Sequence, residues 1–254
     1  MNYGPALKKV LDLQKKVLDI HPLFGKFYPI AIVQGKTLQI FDVDEEGNAY
    51  RLVKRVPTPM PIPVGVRAAF DLESYDNKIA CVVTGEVFDT LDGFVTVFHE
   101  FVHCFQGSTC EQKLKQSLEV ARQAMAASNP MWEIEHPFPY SNPDFIEAYE
   151  ALLQAVQASN AEETLQAHRN LGKFLQPLDF EYLIWQEWKE GFARLIENRI
   201  QWRFDQMENH YGREQPYHRI TLYDGGAGVI AALCQDKPEL FTDLEKLFWS
   251  IQNA

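Results

Sequence analysis

The hydrophobic periodicity of the chain changes once, near Gly85, and this change constrains the fold more than any other feature. Before it, short runs of β-branched and aromatic residues alternate with turn signals at Gly35 and Gly47, which is typical of strands. After it, apolar residues recur at helical spacing. The predicted strands are residues 28–33, 37–42, 49–56, 66–70 and 78–83. The sequence therefore predicts an α+β fold, with a small N-terminal antiparallel sheet followed by a mainly helical body.

The same change in pattern suggests a boundary in the chain. Residues 1–85 are predicted to form an N-terminal helix (5–20), the sheet and a proline-rich connector at 57–63. Residues 86–254 are predicted to form the helical body, which we expect to make one continuous unit with the sheet. Its predicted helices are residues 92–106, 111–127, 143–158, 161–175, 178–205, 227–235 and 238–252. Thr90 or Asp92 is expected to cap the first of these, and Gly107 to end it.

Charge and composition exclude some partners. The net charge of −11 disfavours binding to a phosphate backbone, so no nucleic-acid partner is expected. Apolar runs fall short of the roughly 20 residues that a membrane span needs, so no membrane partner is expected. The four cysteines form no C-x-x-C pair, and residues 1–20 do not have the apolar core of a signal peptide. We expect a cytoplasmic protein with reduced thiols.

The motif that indicates chemistry is His99-Glu100-Phe101-Val102-His103, which matches H-E-x-x-H inside a predicted apolar helix. Residues four apart share a helix face, so both imidazoles can reach one metal ion. Glu100 is rotated by about 100° from His99 and can lean toward the metal without binding it, as a general base that takes a proton from water does. The alternative is a chance match in a purely structural helical domain.

A third ligand is expected because catalytic zinc sites usually have three protein ligands. The segment Glu190-Gly191-Phe192-Ala193, with Glu197 seven positions after Glu190, resembles the third-ligand segment of the gluzincin clan of zinc metallopeptidases, notably its aminopeptidase branch. The resemblance implies a zincin-like active-site helix and Zn²⁺ bound by His99, His103 and Glu190. It also implies that Glu197 orients a ligand and that the substrate is a peptide or protein.

The resemblance covers two short segments and has departures. Lys189 stands where the aminopeptidase branch usually has Asn, and the stretch between His103 and Glu190 is much longer than in that branch. A Gly-x-Met-Glu-Asn motif does not precede His99. Specificity for the amino terminus is therefore not predicted, and the assignment stops at the clan.

Each site residue has an alternative interpretation. Glu190 could be a solvent-facing carboxylate paired with Arg194 one turn later. Rival third ligands are Glu150, Glu187 and Glu197. Four other histidines are interpreted as surface or loop residues: His136, His168, His210 and His218.

A metallohydrolase also needs a group that stabilises the oxyanion. The predicted loop before residue 227 holds several candidates: Tyr211, Tyr217, His218, Arg219 and Tyr223. Tyr223 is the preferred one, with His218 next, and aromatic packing is the alternative for each. Residues 79–84 are the candidate edge strand for an extended peptide.

These expectations together predict a zinc-dependent metallohydrolase, and by resemblance a metallopeptidase. Glu100 and Tyr223 are its candidate catalytic residues. The alternative is a catalytically inactive regulatory or binding protein, stabilised by a zinc ion whose coordination is closed by a fourth protein ligand.

Overall fold

The computed structural model describes residues 2–59 and 61–254, so Met1 and Met60 of the proline-rich connector lie outside the described residues. By its contacts the chain divides into two units. The first comprises Met1–Thr109 and Ile196–Glu208, and the second Cys110–Leu195 and Asn209–Ala254. The predicted boundary at residue 85 stays a prediction.

A five-stranded sheet dominates the first unit and confirms the α+β class. It follows helix α1 (Gly4–Gln14) and has the strand order β3-β2-β1-β5-β4. The strands are β1 (Ile30–Gln34), β2 (Thr37–Val43), β3 (Tyr50–Pro57), β4 (Arg67–Leu72) and β5 (Lys78–Thr84). The five strands lie close to their predicted positions.

The pairing of the strands corrects one part of the prediction. Three pairs are antiparallel, but β1 and β5 pair in parallel, so the sheet is mixed. A parallel pair needs a long crossover, and here β2, β3 and β4 supply it. β5 therefore lies between β1 and β4, and residues 79–84 are not an edge strand. The edges of the sheet are β3 and β4.

One face of the sheet has a core of its own, in which alternate residues of the strands meet. Its buried members are Ala31, Val33, Leu38, Ile40, Leu72, Ala80 and Val82. The β1–β2 hairpin turns at Gly35, whose φ of 61° is the left-handed conformation that glycine adopts without a steric penalty.

Helix α2 (Leu91–Thr109) packs against β4 and β5 within this unit. Thr90 caps it, since its Oγ1 accepts the N–H of Gly93 at 3.0 Å. The predicted stop at Gly107 is wrong, because the helix continues to Thr109. The hydroxyls of Ser108 and Thr109 donate to the carbonyl of Phe105 and satisfy a carbonyl in its last turn.

The second unit is helical. Its first helices are α3 (Glu111–Ser117), α4 (Glu119–Ala126), α5 (Trp132–Glu135), α6 (Pro143–Gln157) and α7 (Ala161–Leu171). Then follow α8 (Pro177–Gln186), a π-helical turn (Glu187–Gly191), α9 (Phe192–Arg203), α10 (Thr221–Asp236) and α11 (Leu244–Gln252). The division between the units falls within α9.

Several helix boundaries differ from the prediction. The helix predicted at 111–127 is broken at Leu118, which is extended and buried. The side chain of Glu181 accepts the N–H of Val120 and so caps the restarted helix α4. The N-terminal helix ends at Gln14 instead of residue 20, and the Gln14 amide donates to the carbonyls of Phe24 and Lys26.

The start of α10 differs from the prediction because of how closely two helices approach. Gly225 and Gly226, predicted as loop, lie inside α10. A Cβ on Gly226 would lie 2.6 Å from the Cα of Glu187 in the π-turn. Only a residue without a side chain permits that approach, so here glycine serves helix packing and does not break the helix.

Among the described residues, no helix is both long enough and apolar enough to cross a membrane.

Candidate metal centre

Helix α2 holds the two histidines of the motif on one face. The ring centroids of His99 and His103 are 4.9 Å apart. Both side chains and that of Glu100 are almost completely shielded from solvent. Neighbouring positions Phe98, Phe101 and Val102 are fully buried and fix the helix within its unit.

Each imidazole makes a hydrogen bond through Nδ1. His99 Nδ1 lies 2.9 Å from a carboxylate oxygen of Glu197, and His103 Nδ1 lies 2.9 Å from the amide oxygen of Gln106. Both partners are acceptors, so each histidine donates from Nδ1 and has its lone pair on Nε2. This is the arrangement that metal-binding histidines use.

Gln106 was not identified from the sequence. It is fully buried and lies three residues after His103 on the same helix. The three-residue spacing is one at which side chains on a helix meet, and it is the only signal that the sequence offers. Glutamine is common on exposed helix faces, so this spacing did not distinguish Gln106.

Glu190 lies in the π-turn, and its side chain is 15% exposed. The Tyr223 side chain is its neighbour, and Arg219 Nη1 lies 3.5 Å from its Oε1. Arg194, the partner considered from the sequence, donates to the carbonyl of Asn209 and lies over the Tyr223 ring. Glu190 is thus a largely buried carboxylate with polar neighbours and does not face solvent.

The ligand atoms of His99, His103 and Glu190 all lie within 4.8 Å of one another, so this group could hold a metal ion. Two imidazole nitrogens and one carboxylate oxygen form a donor set that suits zinc. The rival ligands have other partners: Glu197 bonds His99, Glu187 bonds His168, and Glu150 bonds Gln215.

Tyr223 lies in the first turn of α10 and not in a loop. Burial and the adjacent Glu190 carboxylate raise the pKa of its phenol well above the ordinary value of 10, so the side chain stays protonated at neutral pH and can donate a hydrogen bond. Arg219 lies beside it, with its guanidinium over the Tyr223 ring.

The other candidates from the same segment have different surroundings. Tyr211 is exposed, Tyr217 packs against Tyr149, and His218 accepts the N–H of Ile220. Of the five candidates, Tyr223 and Arg219 are the two that the structure brings to Glu190.

The interpretation of the remaining histidines is wrong for one of them. His168 is 1% exposed, and its Nε2 lies 2.7 Å from Glu187, which is completely buried. Glu187 and His168 are nineteen residues apart on different helices. Helical periodicity within one segment does not reveal a partner at that distance, so the pair could not be predicted.

No family model, curated protein or solved structure matches this chain. The gluzincin resemblance therefore rests on the two short sequence segments, and it stays a prediction.

Proposed function

We propose that this chain is a zinc-dependent hydrolase of the gluzincin type that cleaves peptide bonds. The observation that carries the proposal is the convergence of His99, His103 and Glu190, whose ligand atoms lie within 4.8 Å of one another. A chance H-E-x-x-H match gives no reason for a carboxylate from a distant segment to meet both imidazoles.

The donor chemistry supports zinc as the metal. His99, His103 and Glu190 would hold the ion, and the Nδ1 bonds of both histidines favour the tautomer that binds metal through Nε2. A zinc ion at this position would make water more acidic and would polarise a substrate carbonyl. A three-residue donor set also leaves a coordination position for the substrate, as catalytic zinc sites require.

Glu100 is the proposed general base. It follows His99 directly on α2 and is buried beside the ligand pair. Its carboxylate takes the proton of the attacking water and passes it to the leaving nitrogen. Glu197 and Gln106 hold the imidazoles in position throughout the reaction.

Tyr223 and Arg219 are the proposed groups beside the reacting carbonyl. Both lie next to the Glu190 carboxylate. The phenol of Tyr223 is the donor that we propose for the oxyanion, since its raised pKa keeps the proton in place at neutral pH. Arg219 adds a positive charge at the same point.

A peptide or protein substrate is proposed from the gluzincin resemblance. A cytoplasmic location is proposed from the sequence, in which the four cysteines form no C-x-x-C pair.

The test measures zinc content and peptide hydrolysis in the parent protein and in a Glu100→Gln variant. We expect about one zinc per chain in both. Hydrolysis of a mixed peptide library should fall by roughly 100-fold or more in the variant. Asp179→Asn, which alters a carboxylate bonded to His136, is the control and should retain activity.

Two results would contradict the proposal. A parent protein that does not bind zinc removes the metal centre. A zinc-bound parent that hydrolyses no peptide, or a Glu100→Gln variant as active as the parent, removes the proposed chemistry. The zinc-bound but inactive result is the outcome expected for a regulatory or binding protein.

A further inference from the structure

The π-turn Glu187–Gly191 carries three charged side chains, those of Glu187, Lys189 and Glu190, and each has polar neighbours of its own. They point to three different partner groups within the second unit. Glu187 bonds His168, Lys189 bonds Glu111 and Glu133, and Glu190 is paired with Arg219 beside Tyr223. In a regular α-helix, residues three apart share a face. Here Glu187 and Glu190 face different partners, and π-turns of this kind are frequent at functional sites.

The bond between Glu187 and His168 is the most deeply buried of these. The side chains are 0% and 1% exposed, and 2.7 Å separates the bonded atoms. Among the described residues, neither the second carboxylate oxygen of Glu187 nor Nδ1 of His168 has a hydrogen-bond partner. The pair is therefore shielded from water and only half satisfied.

A pair of this kind contributes little to the stability of the fold. Removing a carboxylate and an imidazole from water is costly, and an unsatisfied polar atom adds to that cost. Well-packed apolar residues in place of a buried ion pair often leave a protein equally stable or more so. The pair does fix the position of the π-turn, because its short bond ties Glu187 to helix α7.

The π-turn is also held by backbone contact. A Cβ on Gly226 would lie 2.6 Å from the Cα of Glu187, and one on Gly191 would lie 2.8 Å from the backbone of Gly226. The turn therefore rests directly on α10, the helix whose first turn carries Tyr223. Helix α7 and helix α10 together leave the backbone of the π-turn little freedom to move.

We infer that His168 and Glu187 are positioning residues for the metal centre. They hold the π-turn so that the carboxylate of Glu190 meets His99 and His103. Neither residue is among the three ligands, and the inference rests on the proposed function. It assigns a role to a buried charged pair that the proposed chemistry does not use.

The experiment measures Zn²⁺ affinity by chelator competition, and the visible absorption spectrum of the Co²⁺-substituted protein. The first variant is the double substitution H168L/E187M, which removes both polar groups at similar volume. The second is Glu187→Asp, which keeps the pair but shortens one side chain by a methylene, so that the bond can form only if the turn shifts. Asp179→Asn, in the pair with His136, is the matched control.

We expect both variants to fold. The metal-free double variant should melt at or above the temperature of the parent. Its zinc dissociation constant should rise about 10-fold or more, the size of effect seen when groups that orient ligands are removed. Glu187→Asp should raise the constant about threefold or more and change the Co²⁺ spectrum, while Asp179→Asn changes neither.

Unchanged zinc affinity and an unchanged Co²⁺ spectrum in Glu187→Asp would overturn the inference, even if the double variant fails to fold. A folded double variant with the affinity of the parent would overturn it as well. A parent protein that binds no zinc is a different failure: it removes the proposed function, and the inference falls with it.

Discussion

The hydrogen bond between Glu197 and His99 gives the metal centre a measurable dependence on a residue outside the ligand set. The bond is 2.9 Å long, and the two side chains are about one-tenth exposed, so solvent screens it little. Hydrogen bonds to charged groups contribute about 1.5–3 kcal/mol. Glu197→Leu removes the bond, and zinc affinity should fall by roughly 10- to 100-fold.

Glu197→Gln tests the charge of the acceptor separately. Glutamine keeps an oxygen that can accept from Nδ1, but a neutral acceptor makes a bond roughly half as strong. A loss of about 1 kcal/mol corresponds to a fall in affinity of roughly fivefold. Chelator competition with Zn²⁺ measures both variants, and Asp179→Asn provides the control with a similar carboxylate–histidine bond.

Zinc affinity should be highest in the parent, lower in Glu197→Gln and lowest in Glu197→Leu. If Glu197→Leu binds zinc as tightly as the parent, the carboxylate does not orient His99 when the ion is bound. If Glu197→Gln binds zinc as tightly as the parent while Glu197→Leu loses affinity, the bond matters but its charge does not. Either result would refute the reasoning from charge and hydrogen bonding given above.

Other predictions concern chemistry and packing. Glu100→Gln should bind zinc within about threefold of the parent while turnover falls roughly 100-fold or more, as isothermal titration and peptide assays would show. Gly226→Ala places a methyl group 2.6 Å from the Cα of Glu187 and should lower the free energy of unfolding in urea by about 1–3 kcal/mol; unchanged stability would contradict this close approach. A further prediction concerns the ion pair of Glu133 with Lys189. Burial opposes ionisation of Glu133, yet Lys189 and Lys115 hold its pKa at about 2, below the ordinary 4.5. The stability from this pair is present above pH 4.5 and is lost as the pH falls toward 2. Lys189→Met should therefore have a lower free energy of unfolding than the parent at neutral pH, and the difference should shrink as the pH falls. A difference that does not change with pH would contradict the link between this ion pair and stability.

The features that the sequence predicts well depend on local patterns. The strand positions follow from alternating apolar residues and from turn signals such as Gly35, because side chains of a half-buried strand alternate between two faces. The helical placement of His99 and His103 follows in the same way from the apolar residues around them. The carboxylate of Glu197, which bonds His99, was implied by the gluzincin resemblance and not by a local pattern.

The features that the sequence did not predict depend on contacts between distant segments. Periodicity locates β1 and β5 but does not say that they pair in parallel. A π-turn inserts one residue into a helix and leaves almost no trace in an apolar pattern. Gly226 was assigned to a loop because the feature that requires a glycine there, the nearby backbone of Glu187, lies elsewhere in the chain. His168 was missed for the same reason, since its partner is on another helix.

Anomalous diffraction at the zinc edge, from crystals grown with Zn²⁺, tests the central proposal most directly. We predict one strong peak within bonding distance of the imidazole nitrogens of His99 and His103 and a carboxylate oxygen of Glu190. A peak elsewhere, or none at these three side chains, would contradict the metal centre and with it the proposed hydrolase.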